Sequence, residues 1–141
     1  MKKTTLFFGM LVAVMFAFII LTTNTLSAQA KAKPWPVPAA DKSVKSPVNL
    51  KDAAVITAGN ELWTKSCKSC HGVTGLGDGP KAAAINTLPG NFTTKEFQQA
   101  TDGELFYWIN TGREDMPGFG KKIPDVANIW ALVAYIRTLK K

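Results

Sequence analysis

The spacing of apolar residues predicts a first helix from about Asp52 to Cys67. Asp52 can cap its first turn, and the alanine, leucine and tryptophan residues that follow favour helix. Gly59, Trp63 and Cys67 fall four residues apart and therefore share one face. A glycine inside a helix costs about 1 kcal/mol relative to alanine, which is tolerable where another backbone passes close by. We therefore expect this face to meet a second element.

A second helix is predicted where polar start signals precede an apolar run. Thr101-Asp102-Gly103-Glu104 reads as a capping box that opens a helix through Ile109, with its end near Gly112. Leu105, Trp108 and Ile109 share a face of this helix. This stripe predicts a buried surface, with or without a cofactor against it.

The last helix is predicted from Pro124-Asp125 to about Leu139. Proline suits a first turn, and Asp125 and the terminal Lys140 and Lys141 suit the two ends of the helix dipole. Apolar side chains occupy nearly every face between them, so the helix should be covered on several sides.

The segments between these helices are rich in glycine and proline and predict loops rather than strands. They are residues 72–80, 88–92 and 112–120, with a short helical turn expected from Lys81 to Ile85. The pattern therefore predicts an all-α domain of three to four helices over residues 52–141.

The chain begins with the pattern of an export signal. Lys2 and Lys3 precede an unbroken apolar run from Leu6 to Leu21, and Ala28-Gln29-Ala30 forms a cleavage pattern. Residues 1–30 are therefore predicted to be a signal peptide. An uncleaved membrane anchor is the alternative, although the run is somewhat short of the roughly 20 residues that span a bilayer. The leader contains no cysteine, which excludes a lipoprotein anchor.

Residues 31–51 form a proline-rich segment between the leader and the predicted helices. Pro34-Trp35-Pro36-Val37-Pro38 imposes an extended, polyproline-like backbone. The segment is either a disordered linker, a spacer, or an arm that lies across the domain with Trp35 as its anchor.

Composition adds a modest positive charge and no sign of nucleic-acid binding. The 141 residues carry a net charge of +7, which becomes +5 without Lys2 and Lys3. The basic side chains are scattered, with no block of five like charges. We therefore expect protein partners and no nucleic acid.

The chemistry is concentrated in Cys67-Lys68-Ser69-Cys70-His71. Cys-x-x-Cys-His is the attachment signature of c-type haem: two thiols one helical turn apart add to the porphyrin, and the adjacent imidazole binds the iron. A zinc site would need a fourth ligand, and a thioredoxin-like pair would follow a strand. A structural disulfide, the third alternative, would leave His71 without a role.

Met116 is the candidate for the second axial ligand. It is the only methionine outside the leader, and His71 is the only histidine in the chain, so two histidines cannot share the iron within one domain. A lone methionine is more often a packing residue. As the only thioether outside the leader, Met116 is nevertheless the available candidate.

From about Asp52 to Leu139 the sequence resembles the class I cytochrome c family, specifically its bacterial monohaem members. The resemblance rests on Gly59, Trp63, the haem motif and the Met-Pro pair. It implies the class I cytochrome c fold around one covalent haem c, with iron bound by His71 and Met116. It also implies that the carbonyl of Pro80 accepts from the second nitrogen of His71. Further pocket contacts are expected from Leu88, Phe92 and Trp108.

With both axial positions filled, the iron would have no open site, which argues for a carrier rather than an enzyme. The predicted function is single-electron transfer between redox partner proteins such as an oxidase, reductase or dehydrogenase. One alternative is a haem-bearing relay subunit of a membrane-bound complex; another is a haem enzyme or gas sensor with a labile sixth ligand. Because haem is attached outside the cytoplasmic membrane, the export signal predicts a periplasmic protein, either free or held at the outer face of that membrane.

Overall fold

The computed structural model describes residues 35–141, so the predicted leader lies outside the described residues. Helices dominate: α1 (Ala39–Lys42), α2 (Ala53–Ser66), α3 (Lys68–His71), α4 (Asp102–Thr111) and α5 (Val126–Thr138), with two 3-10 turns at Ala82–Ala84 and Phe97–Gln99. The two strands, β1 (Gly112–Arg113) and β2 (Met116–Pro117), have only two residues each. The predicted all-α class is confirmed.

Capping side chains set the starts of the three long helices; the sequence predicted the caps at Asp52 and Thr101, whereas Asp125 caps a helix that was expected to include Pro124. Asp52 accepts from the N–H of Ala54 at 2.7 Å, and Asp125 accepts from the N–H of Ala127 at 3.0 Å. Thr101 begins α4 in a complete capping box. Each cap satisfies backbone donors that have no partner inside the helix, so the boundaries follow from local sequence.

Helices α2 and α5 cross at Gly59. A Cβ atom at this position would overlap the carbonyl oxygen of Ala131 and lie 2.9 Å from the Cβ of Tyr135. Only a residue without a side chain lets the two backbones come this close, which confirms the expectation for this glycine. Trp63, one turn further along, packs its ring 5.6 Å from that of Tyr135.

Helix α5 forms the centre of the core. Its fully buried residues lie on more than one face, as its continuous apolar pattern predicted; they are Ile129, Trp130, Ala131, Leu132, Val133, Ala134 and Ile136. Trp130 stacks on Phe106 of α4 with ring centroids 4.5 Å apart. Helix α5 is therefore covered by α2 on one side and by α4 on another.

The glycine-rich segment after α4 folds back on itself, although the sequence predicted only a loop. β1 and β2 form an antiparallel pair in which Arg113 lies opposite Met116. Gly112 and Glu114 both have positive φ, at 65° and 48°. These left-handed residues reverse the chain within a few positions, which is why a strand pair forms in a stretch with little strand propensity.

The proline-rich segment packs along α4 and contains one helical turn that the sequence did not predict. Val37 is buried, and α1 follows directly after Pro38. The Thr101 hydroxyl donates to the carbonyl of Lys42 at 2.9 Å. A Cβ at Gly103 would overlap the Asp41 carbonyl oxygen, so the backbones of α1 and α4 are in contact there.

Among residues 35–141, no helix combines the length and apolar character needed to cross a bilayer.

Candidate functional site

A cavity of about 380 Å³ lies between the helices and the loops. Its volume is within the roughly 300–1,000 Å³ typical of cofactor and ligand pockets. Most of the site residues expected from the sequence line it: Cys67, Cys70, His71, Leu88, Phe92, Trp108 and Met116. The α4 stripe also faces it, because Leu105 and Ile109 belong to its wall. Residues far apart in sequence therefore meet around one space.

The two cysteines lie where α2 ends and α3 begins. The N–H groups of Cys70 and His71 both donate to the Cys67 carbonyl, at 3.2 and 3.0 Å, so the motif continues as a helical turn. Both thiols are free. Burial raises the pKa of the Cys67 thiol to about 12, with a smaller contribution from Cys70. The Cys67 thiol therefore stays protonated near neutral pH.

The imidazole of His71 is held in the tautomer that a metal ligand needs. Its Nδ1 lies 3.0 Å from the carbonyl oxygen of Pro89. A carbonyl can only accept, so Nδ1 carries the hydrogen and Nε2 keeps its lone pair. Burial lowers the pKa of His71, and the bond to Pro89 opposes this in part. The rings of Phe92 and Trp63 lie 4.6 and 5.7 Å from the imidazole.

Pro80 does not have the role that the resemblance implied. It is exposed and lines a separate groove behind α3. The loop before it folds back onto α3, because the N–H of Gly79 donates to Cys70 and that of Lys81 donates to Ser69. This leaves Pro80 behind the motif, and the later Pro89 reaches the imidazole.

Met116 lies in β2, and its loop is tied to the end of α4. The N–H of Phe119 donates to Ile109 at 2.9 Å, and that of Gly120 donates to Asn110 at 3.1 Å. These bonds fold the loop over the same cavity that Cys67 and His71 line. The thioether of Met116 and the imidazole of His71 therefore line the same cavity.

Several residues line the cavity although the sequence did not assign them to it. Pro89, Arg113 and Trp35 are three of them. Trp35 stacks on Trp108 at 5.7 Å, and its carbonyl accepts from the Trp108 indole N–H at 3.2 Å. The Arg113 guanidinium lies 4.6 Å from the centre of the Trp35 ring. The isolated tryptophan among prolines signalled an anchored arm, but nothing in the sequence placed it at the cavity.

The local structure gives little support to the competing interpretations of the motif. A helix, rather than a strand, precedes Cys67, unlike a thioredoxin-like pair. Within the described part of the chain, no three His, Cys, Asp or Glu side chains are close enough to hold a metal together, as a zinc site would require. These residues instead suit haem c: two thiols that can attach the porphyrin, one oriented imidazole that can bind the iron, and an apolar wall.

Comparison with known proteins agrees with this geometry. Residues 54–136 match the family model "Cytochrome C oxidase, cbb3-type, subunit III". A search of curated proteins gave no match.

Two solved structures are similar to the chain. One is a chain of the "Kuenenia stuttgartiensis reducing HAO-like protein complex Kustc0457/Kustc0458", with 28% identity and a TM-score of 0.62 over 77% of this protein. The protein covers 52% of that chain, about half its length. The other is "KustC0563 c-type cytochrome", with 30% identity and a TM-score of 0.52, covering 59% of this protein and 98% of that chain.

The family match extends over more than half of the sequence and includes the haem motif, the cavity wall and the Met116 loop. The protein therefore carries haem c and belongs to the family of c-type cytochrome domains described as cbb3-type cytochrome c oxidase subunit III.

Proposed function

We propose that this protein is a single-electron carrier whose haem iron is bound by His71 and Met116. The observation that carries the proposal is the shared cavity: an imidazole with its Nε2 lone pair available, two attachment cysteines and one thioether all line it. No other methionine or histidine exists outside the leader. Thioether sulfur is a soft ligand and imidazole suits iron, so the pair fits the metal.

The surroundings favour electron exchange without substrate chemistry. The haem supplies the one-electron couple, and methionine–histidine ligation raises its potential. Trp63, Leu105 and Leu132 are almost fully buried and form apolar parts of the wall, which keeps water from the cofactor. With both axial ligands in place, peroxide or oxygen would have no site to bind. These features support a carrier over an enzyme or gas sensor.

The proposed organisation assigns residues 1–30 to an export leader, 31–51 to an arm and 52–141 to the haem domain. The contacts of Trp35 and Lys42 with α4 support the arm over a loose linker. Haem attachment after export supports a periplasmic carrier, free or retained by its leader at the membrane.

A relay subunit within a larger complex is the second candidate function. The family is named after an oxidase subunit, and one similar structure belongs to a HAO-like protein complex. Either association would make the redox partner a bound subunit instead of a diffusing protein. Native mass of the protein purified from its own membranes and periplasm separates the two: a free carrier is recovered as a single chain, and a relay subunit with its partners.

The ligand assignment is tested by Met116→Ala. We expect the variant to keep its covalent haem, lose the weak sulfur–iron absorption at the red end of the oxidised spectrum, and bind carbon monoxide when reduced. Its potential should fall, because the lost thioether favoured the reduced metal. Visible spectroscopy, carbon monoxide titration and redox titration measure these changes.

Leu88→Ala is the matched control. Leu88 lines the same cavity and is 52% exposed, so its truncation removes apolar contact without removing a ligand. Its spectrum should match the wild type. A Met116→Ala protein with unchanged spectrum and potential would refute the sulfur ligand.

A further inference from the structure

A pair of hydrogen bonds ties the turn beside Met116 to a distant loop. One carboxylate oxygen of Asp115, Oδ2, accepts from the backbone N–H groups of Asn86 and Thr87, each at 2.8 Å. The Thr87 hydroxyl donates to Glu114 Oε2 at 3.0 Å. Bonds to a carboxylate are stronger than bonds between neutral groups. Nearly 30 positions of sequence separate the two segments, so these contacts join two sides of the cavity.

The turn that carries Asp115 has an unusual backbone. Glu114 is the non-glycine residue with positive φ among residues 35–141, at 48°. Side chains make this region unfavourable, so such a residue persists where surrounding contacts impose it. The neighbouring bonds of Asp115 are contacts of this kind. They therefore act on the backbone that leads directly into Met116.

The loop at the other end of these bonds also holds the imidazole. Pro89, two residues after Thr87, accepts from His71 Nδ1 at 3.0 Å. Residues 85 and 87–90 all line the cavity, as do Asp115 and Met116. Two hydrogen bonds therefore connect the imidazole with the Met116 turn: His71 bonds Pro89, the backbone runs from Pro89 back to Thr87, and Thr87 bonds Asp115, the residue before Met116.

We propose that Asp115 is a positioning residue that keeps the Met116 sulfur against the iron by tying its turn to the loop that orients His71. The proposal rests on the proposed ligation by Met116. Outward movement of this turn would carry the sulfur away from the iron, and the bonds to Asn86 and Thr87 oppose that movement. Asp115 makes no bond to the iron itself. Its effect is on how often the sixth position opens.

The test uses intact holoprotein and external imidazole as the probe. At saturating imidazole, binding to the oxidised iron is limited by departure of the sulfur, so its rate reports the opening. Asp115→Ala removes the acceptor and should speed binding several-fold. Stopped-flow spectroscopy follows the loss of the red-end absorption.

Asp115→Asn separates geometry from charge. Asparagine keeps an acceptor oxygen but loses the negative charge that strengthens these bonds, so its rate should lie between those of the wild type and Asp115→Ala. Glu61→Ala is the matched control: it removes an exposed carboxylate of α2 that does not line the cavity, and its rate should stay close to that of the wild type. Equal acceleration by alanine and asparagine would overturn the proposal, because charge alone would then explain the effect.

The design distinguishes failure of this proposal from failure of the proposed function. A wild-type spectrum without sulfur–iron absorption, unaffected by Met116→Ala, would remove the ligand and the positioning role together. A normal wild-type absorption with equal rates in wild type and Asp115→Ala would overturn the role of Asp115 alone. Circular dichroism and covalent haem content of each variant exclude unfolding as the cause, since Asp115 is exposed.

Discussion

At the scale of single residues, the site depends on which atoms the backbone brings to the imidazole and where two helices can touch. His71 was identifiable from its motif, but its partner proved to be Pro89 and not Pro80. Gly59 was identifiable from its spacing to Trp63 and Cys67, and the structure shows the close approach that it permits. The spacing of residues in the sequence was therefore enough to identify His71 and Gly59. The hydrogen-bond partner of His71 could not be identified without knowing the path of the loop that carries Pro89.

Gly59→Ala should destabilise the protein although alanine is the better helix former. The helix preference is worth about 1 kcal/mol in favour of alanine. The new Cβ overlaps the Ala131 carbonyl, which belongs to the backbone of a buried helix and cannot rotate away. Overpacking costs about 1–3 kcal/mol or more, and here we expect a net loss of about 2 kcal/mol.

Denaturant unfolding of the holoprotein measures this loss. Asn60→Ala, at the exposed adjacent position of α2, is the control and should be neutral or slightly stabilising. If both variants had equal free energies of unfolding, the close approach of α2 and α5 would not require glycine at position 59.

At the scale of elements, helix ends and the arm meet around the start of α4. Glu104 accepts from the Thr101 N–H at 2.8 Å within the capping box, and it also pairs with Lys42 Nζ at 3.0 Å. The same carboxylate therefore completes a helix start and holds the arm. The capping box was predictable from four consecutive residues, whereas the contact with Lys42 joins segments about 60 positions apart.

In the Glu104→Gln variant, the free energy of unfolding should decrease less than in the wild type as the pH falls. The Thr101 N–H is the largest cause of the lowered pKa of Glu104, and Lys42 adds to it. A carboxyl with a lowered folded pKa stabilises the fold fully above its unfolded pKa of about 4.3, and loses that contribution as pH falls through the folded pKa. The wild type should exceed the variant by about 0.5–1 kcal/mol at pH 7.

That difference should shrink below about pH 4, because the wild-type carboxyl is then protonated. Thermal unfolding of the holoprotein between pH 7 and pH 3 measures it. Lys42→Gln removes only the ion pair and should retain most of the pH dependence, because the bond from Thr101 remains. A wild type and Glu104→Gln variant with parallel pH profiles would contradict this assignment.

At the scale of the whole molecule, the net charge of +7 bears on partner recognition. Lys81, Lys121 and Lys122 are exposed, and Lys81 lines the mouth of the haem cavity. Charged rims chiefly steer encounter and increase association rates. Lys121 and Lys122 do not line the cavity, so the simpler interpretation is that they are solvated surface residues without a docking role.

Electron transfer to an acidic redox partner should slow as salt rises, because screening shortens to about 8 Å at physiological ionic strength. Lys81→Gln should lower the second-order rate several-fold at low salt and reduce its salt dependence. Lys51→Gln, at an exposed position away from the cavity, is the control and should change little. Stopped-flow rates from low to high salt measure this; a flat wild-type rate would indicate that no steering occurs.

Local sequence is sufficient to predict the three long helices, the caps at Asp52 and Thr101, and the attachment motif. These depend on neighbours within about one helical turn: Asp52 on Ala54, Thr101 on Glu104, and Cys67 on Cys70 and His71. Such short-range interactions have one dominant geometry, so spacing alone predicts them.

Which distant groups meet depends on the fold of the whole described chain. The choice of Pro89, the hydrogen bonds of Asp115 to Asn86 and Thr87, and the packing of Trp35 on Trp108 all join loops or segments far apart in sequence. Glycines and prolines allow several paths for such loops, and no local propensity distinguishes them. The path is set by burial around α5 and by the pairing of backbone groups, which are properties of the folded chain as a whole.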